Sequence, residues 1–95
     1  MRALLFLAVA ANLLVFGAAA AEPPAGASSC SGCHALGAKV DTAVPRLAGR
    51  SAAQLASEMQ AFKSGQKPGT VMGRIAKGFS EAEIQAIADW FTAQK

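Results

Sequence analysis

Two cysteines and a histidine form the most distinctive chemical pattern in this 95-residue chain. Cys30, Cys33 and His34 follow the spacing C-x-x-C-H, which is the attachment sequence of c-type haem. Thiols at this spacing on a helical turn can each reach one vinyl group of a porphyrin, and the adjacent imidazole then faces the iron. The spacing therefore predicts one covalent haem c, held by thioethers at Cys30 and Cys33, with His34 as an axial ligand.

The same cysteines allow other interpretations. They could form a small disulfide or a redox-active dithiol, but such a redox pair normally lies between a strand and a helix, and no segment has the alternation of a strand. They could supply half of a zinc site, but the chain has no further cysteine or histidine to complete it. A haem-free exported dithiol module stays as the alternative to haem attachment.

The second axial ligand of the iron is expected to be a methionine. His34 is the only histidine, and Met/His ligation is common in c-type cytochromes, where it raises the reduction potential. Met1 belongs to a predicted leader, and Met59 lies on an apolar helix face, where packing explains it. Met72 lies in a predicted loop that has no other need for a large apolar side chain. We predict Met72 as the ligand, with Met59 as the second choice.

Further polar contacts are expected around the iron ligands. A ligating histidine needs an acceptor for its other ring nitrogen, and the carbonyl of Pro45, in a rigid loop, is the predicted acceptor for His34. Arg74 and Lys77 flank Met72 and could pair with a haem propionate or with a carboxylate of a partner protein. Exposed cations are more often simply solvated, so both roles stay open for Arg74 and Lys77.

Local signals predict two helices that must position these residues. Ser51 and Gln54 form a capping box that begins the first helix, and Gly65 is placed to end it. The apolar face of that helix is spaced at i, i+4 and i+7, with Leu55, Met59 and Phe62.

The second predicted helix begins at a capping box of Ser80 and Glu83 and runs to about Ala93. Its predicted buried face consists of Ile84, Ile87, Ala88 and Phe91. Trp90 and Phe91 are expected to pack helix against helix. The rest of the chain is expected to be a loose tail over 22–29, a short helical turn over 30–36, and loops over 37–50 and 66–79 with a turn near Ile75. The predicted fold is small and all-α.

Residues 1–21 have the pattern of a secretory signal peptide. Arg2 precedes an uncharged apolar stretch that ends in Ala19, Ala20 and Ala21. The rival interpretation is an uncleaved membrane anchor, since the uncharged stretch could nearly span a bilayer. Cleavage near Ala21 would leave a single domain over 22–95 that works in the periplasm.

Charge and size constrain the function of that domain. The whole chain has a net charge of +3, of which Arg2 contributes one, so the domain has no basic stripe for nucleic acid. A domain of this size buries only about 60% of its unfolded surface. The long loops contain few apolar residues, so we expect a bound group to complete the core.

Together these residues resemble a class I cytochrome c. The resemblance rests on Cys30, Cys33 and His34, the stretch 45–49, Met72 and the terminal amphipathic helix. The stretches 62–65 and 72–80 are similar to one branch of that family, the monohaem cytochrome subunits of flavocytochrome c sulfide dehydrogenase.

The resemblance implies a haem packed among three main helices and long loops, with the ligands predicted above. In that branch the partner is a flavoprotein that oxidises sulfide, and the cytochrome accepts electrons from its flavin. A free, diffusible monohaem carrier is the alternative. The chain departs from the family in its short segment before Cys30 and in Ala35, where glycine is common, and it has one haem motif where some members have two.

Overall fold

The computed structural model describes residues 22–94, and the predicted leader over 1–21 lies outside the described residues. It contains four helices: α1 (Ala27–Cys30), α2 (Ala52–Ser64), α3 (Met72–Ala76) and α4 (Glu81–Thr92). Over the described range no residue belongs to a strand, and the predicted all-α fold is confirmed. None of the helices between residues 22 and 94 is long and apolar enough to cross a membrane.

Both long helices begin at the predicted serines, although α2 forms only the Ser51 half of the predicted capping box. The Ser51 hydroxyl accepts a hydrogen bond from the Gln54 N–H, and Gly65 ends α2 with φ 82°. In α4, Ser80 and Glu83 form the full reciprocal capping box. Each cap satisfies backbone groups that a helix end leaves without a partner.

The first helix begins earlier than predicted. The chain turns at Gly26, which has φ 90°, and α1 starts at Ala27 within the expected tail. The aromatic ring of Phe79 lies against Gly26, so that a Cβ atom there would be only 2.9 Å from Phe79 Cζ. Distant packing of this kind fixes the start of α1, and no local sequence signal announces it. The expected turn after Cys30 is present, since the His34 N–H bonds to the Cys30 carbonyl at 2.8 Å.

The segment between α2 and α4 is more ordered than the predicted loop. The expected turn near Ile75 is the helix α3, whose first residue is Met72. Its Ala76 is fully buried, and α2 packs against both α3 and α4. Met72 is therefore held at a helix end, and its position depends on α2.

The described core is small and hollow. Seven residues are buried, and all are apolar: Ala27, Leu55, Ala76, Ile84, Ile87, Ala88 and Phe91. They include the whole predicted inner face of α4. Five of the seven line one cavity: Leu55, Ile84, Ile87, Ala88 and Phe91. The core therefore packs α2 against α4 and also forms one wall of this cavity.

Candidate functional site

The cavity at the centre of the fold has a volume of about 500 Å³, within the usual range for small-molecule and cofactor sites. All the residues predicted to hold a haem lie on its walls: Cys30, Cys33, His34, Pro45, Met59 and Met72. α1 and the following turn supply the cysteines and the histidine, whereas α2 and α3 supply one methionine each. The fold thus brings residues that are up to 42 positions apart onto one surface.

His34 makes the predicted contact with Pro45. Its Nδ1 lies 2.6 Å from the Pro45 carbonyl oxygen. Because a carbonyl can only accept, Nδ1 must carry a proton, and in the neutral imidazole the lone pair is then on Nε2. A histidine held in this tautomer is prepared to ligate a metal through Nε2.

The two cysteines are free thiols in different surroundings. Cys33 is exposed, whereas Cys30 is half-buried and its Sγ donates to the Gly26 carbonyl at 3.4 Å. Burial raises the pKa of the Cys30 thiol, and its backbone hydrogen bond offsets this only in part. A reactive dithiol needs a lowered thiol pKa, so Cys30 lacks the property expected of a redox pair. Between residues 22 and 94 no three His, Cys, Asp or Glu side chains are grouped as a metal site would require.

Both candidate methionines lie at the cavity on neighbouring elements. Met59 is on α2 and Met72 is the first residue of α3, and both side chains are half-buried. Gly69 lies close behind Met72, since a Cβ at Gly69 would be 3.7 Å from Met72 Cβ. The structure places the predicted ligand and the second choice on the same cavity.

Sequence reasoning missed a charged cluster on the cavity wall. Arg50 Nη2 lies 3.0 Å from each Glu58 carboxylate oxygen, and Lys67 Nζ lies 3.6 Å from Glu58 Oε1. All three residues line the cavity, whereas Arg74 and Lys77 are exposed and do not. One signal could have revealed the cluster, because Glu58 is the only acidic residue between Asp41 and Glu81.

The character of the cavity fits the group that the motif implies. Haem has a broad apolar ring, and the buried part of the wall is entirely apolar. Haem also carries two carboxylates, and the cluster of Arg50, Glu58 and Lys67 brings two cations and one anion to the same cavity. The donor set of thiols, imidazole and thioether is the one that c-type haem uses.

Comparison with known proteins gives relatives of one kind, although no family model matches the chain. The chain is 38% identical over 63 residues to the cytochrome subunit of sulfide dehydrogenase of Chlorobaculum tepidum, covering 66% of this chain and 57% of that protein. It is 38% identical over 95 residues to the thiosulfate dehydrogenase electron acceptor of Thiomonas intermedia, covering 94% of this chain and 43% of that protein. It is 34% identical over 82 residues to cytochrome c-554(548) of Halomonas halodenitrificans, covering 82% of this chain and 96% of that protein.

These matches cover different shares of the relatives' lengths, but every relative is named as a cytochrome or an electron acceptor. The chain spans between 31% and 57% of the sulfide and thiosulfate dehydrogenase proteins that it matches, and nearly the whole of cytochrome c-554(548). The prediction of covalently attached haem c is confirmed over the haem-free dithiol module, and Cys30 and Cys33 fit its attachment motif. The chain belongs to the class I cytochromes c and carries one haem attachment motif.

Proposed function

We propose that this cytochrome accepts single electrons from a flavoprotein that oxidises sulfide, as the cytochrome subunit of a flavocytochrome c sulfide dehydrogenase. The match to the cytochrome subunit of sulfide dehydrogenase supports this partner. The match to two thiosulfate dehydrogenase electron acceptors supports a donor of the same broad class, a dehydrogenase of reduced sulfur compounds. The electron leaves the partner's flavin and enters the cytochrome without any bond being made by the protein.

Four residues are proposed to hold the cofactor. Cys30 and Cys33 would form the thioethers, and His34 Nε2 and the Met72 thioether would ligate the iron. The observation that carries this assignment is the cavity shared by all four, together with the bond from His34 Nδ1 to Pro45 that leaves Nε2 unprotonated. Bound haem supplies a ferric–ferrous couple, and methionine ligation raises its potential.

Arg50 and Lys67 are proposed to bind the carboxylates of the haem, in place of the Arg74 and Lys77 considered from sequence. Arginine has five N–H donors, and the contact with Glu58 uses Nη2. Glu58 balances one of the two cations, so the cluster keeps a net positive charge for a carboxylate.

The rim of the cavity is the proposed entry point for the electron. Val71 and Ile75 line the cavity, yet they are 56% and 42% exposed. Large apolar side chains left exposed at the mouth of a site are typical of a protein contact surface. A partner docked on Val71 and Ile75 would lie at the mouth of the cavity that the haem would occupy.

The proposed location is the periplasm, reached by the leader over 1–21 with cleavage near Ala21. The C-x-x-C-H motif agrees with this location, because a covalent cofactor is retained outside the cell. Sequencing the amino terminus of the exported protein tests the cleavage. A terminus at or near Glu22 is expected, and a terminus at Met1 would overturn it.

The first experiment is a visible spectrum of the purified chain after extraction with acidic organic solvent. Haem colour that stays with the polypeptide establishes covalent attachment, and the variant Cys30→Ala/Cys33→Ala should give a colourless polypeptide. The electron donor is tested by mixing the oxidised cytochrome with a sulfide-oxidising flavoprotein and sulfide. Reduction that requires both the flavoprotein and sulfide supports the proposed partner.

A free monohaem carrier is the second candidate. Cytochrome c-554(548) is matched over 96% of its length, and its name is that of a cytochrome by itself, which supports this candidate. Gel filtration of native cell extract discriminates the two candidates. A subunit elutes with a flavin-containing protein, whereas a free carrier elutes alone at the size of a monomer.

A further inference from the structure

The last turn of α2 contacts the near end of the segment 66–79, which carries Met72. The Lys67 N–H bonds to the Ala61 carbonyl at 3.0 Å. The Phe62 ring lies against Gly69, where a Cβ atom would be 2.9 Å from Phe62 Cε1. The ammonium group of Lys67 lies 5.1 Å from the centre of the same ring, a favourable cation–π distance. The beginning of the segment is therefore packed closely on α2.

The same turn of α2 also reaches the far end of the segment. The half-buried Lys63 donates from Nζ to the Phe79 carbonyl oxygen, although the two residues are 16 positions apart. The ring of Phe79 lies against Gly26 at the start of α1. Phe79 thus joins the helix that carries Cys30 to the segment that carries Met72, and Lys63 fixes its backbone.

The two parts of the segment are held differently. Its middle forms α3, which packs on α2 and buries Ala76, whereas its far end at Gly78 and Phe79 lies outside α3 and contains no buried residue. A hydrogen bond from a charged donor to a carbonyl is stronger than one between neutral groups. Loss of the Lys63 contact would leave the far end attached mainly through the Phe79 ring.

We propose that Lys63 is a positioning residue that keeps the segment 66–79 closed on the cavity and so keeps the Met72 thioether at the iron. The proposal rests on the assignment of Met72 as axial ligand. Lys63 itself does not line the cavity, so it acts through Phe79 and not on the haem. Opening of the segment would expose the iron to small ligands from solution.

The test uses the oxidised, haem-bearing protein and measures how fast imidazole displaces the thioether. Loss of a hydrogen bond to a charged group shifts the equilibrium between the closed and the open segment by more than tenfold. Because imidazole binds only to the open form, Lys63→Gln should accelerate imidazole binding on the order of tenfold or more. Lys63→Arg keeps a charged donor and should restore much of the wild-type rate. Lys77→Gln removes an exposed cation from the same segment and is the matched control, expected to bind imidazole at the wild-type rate.

Amide hydrogen exchange provides a second reading that does not depend on which methionine is the ligand. The N–H groups of Gly78 and Phe79 bond to the carbonyls of Ile75 and Ala76. In Lys63→Gln these two amides should exchange faster, whereas amides in the last turn of α4, away from Glu83, should keep their wild-type rates. Equal acceleration in the last turn of α4 would show that Lys63 supports only the stability of the whole fold, and would overturn its positioning role.

The two proposals can fail separately. If Met72→Ala keeps the thioether–iron absorption band, the ligand assignment is wrong, and the role of Lys63 towards Met72 falls with it. If Met72→Ala loses the band, but Lys63→Gln leaves both the imidazole rate and the exchange of Gly78 and Phe79 unchanged, the role of Lys63 alone is wrong.

Discussion

Replacement of both Cys30 and Cys33 by serine should leave a polypeptide that cannot maintain the fold. The cavity of about 500 Å³ is lined by five of the seven buried residues. An empty apolar cavity costs about 24 cal/mol per Å³, which gives about 12 kcal/mol for this volume. The cavity opens to solvent at Val71 and Ile75, so this figure is an upper value. It is still comparable with the roughly 5–15 kcal/mol by which whole domains are stable.

The assay compares this double variant with the haem-bearing protein by far-ultraviolet circular dichroism during urea unfolding. The haem-bearing protein should unfold in one cooperative transition, and the variant should show little helix and no sharp transition. Wild-type polypeptide made in cells without haem-attachment enzymes should behave like the variant, because it also lacks the cofactor. Ser28→Ala alters an exposed residue of the same helix and should keep both haem and fold.

One result would refute the reasoning. If the double variant unfolds cooperatively, with a urea dependence as steep as that of the haem-bearing protein, then its core is closed without a cofactor. The slope matters because it scales with the surface exposed on unfolding. A shallow slope with residual helix would indicate a loosely collapsed chain, which is the expected state.

Three further outcomes follow from the site and the core. Met72→Ala should lose the thioether–iron band and lower the reduction potential in a redox titration, whereas Met59→Ala should keep the band; the reverse pattern would make Met59 the ligand. Phe91→Ala should lower the free energy of unfolding by about 3–5 kcal/mol, because Phe91 is 1% exposed; the exposed Asp89→Ala on the same helix should change it little. Hydrogen bonds from the backbone and side chain of Ser80, aided by the nearby Lys63, lower the pKa of Glu83 below its usual value. The Glu83 carboxylate therefore stabilises the fold at pH values above its unfolded pKa, and this stabilisation is lost as the pH falls through its folded pKa. The free energy of unfolding of Glu83→Gln should be lower than that of the wild type at pH 7, and the difference should disappear in acid.

The parts of this fold that were predictable are those set by neighbouring residues. Ser51 and Ser80 each act on a backbone group three positions away, and Gly65 ends α2 through its own conformation. The inner face of α4 follows from a helical period within one segment. The C-x-x-C-H motif is equally local, since five consecutive residues carry its chemistry.

The features that escaped prediction depend on contacts between distant segments. α1 begins at Ala27 because Gly26 meets the ring of Phe79, 53 positions later. Helical spacing within α2 could not reveal that Glu58 pairs with Arg50 across the helix start and with Lys67 beyond its end. Helix propensity would not select the stretch from Met72 to Ala76 either, because Gly73 opposes helix formation and packing against α2 decides the outcome.

The hollow core connects these two groups of features. The local signals make two helices whose apolar faces pack together through Leu55, Ile87, Ala88 and Phe91, and the same four residues line the cavity. Two contacts between distant residues, Arg50 with Glu58 and Lys63 with Phe79, hold the chain in place around the cavity. The cavity itself is left for the cofactor. The haem attached at the C-x-x-C-H motif would therefore also complete the core, because it would cover the apolar residues of α2 and α4 that line the cavity. We infer that the requirement for stability and the requirement for electron transfer are met by one group, and that a substitution that weakens its attachment will affect both.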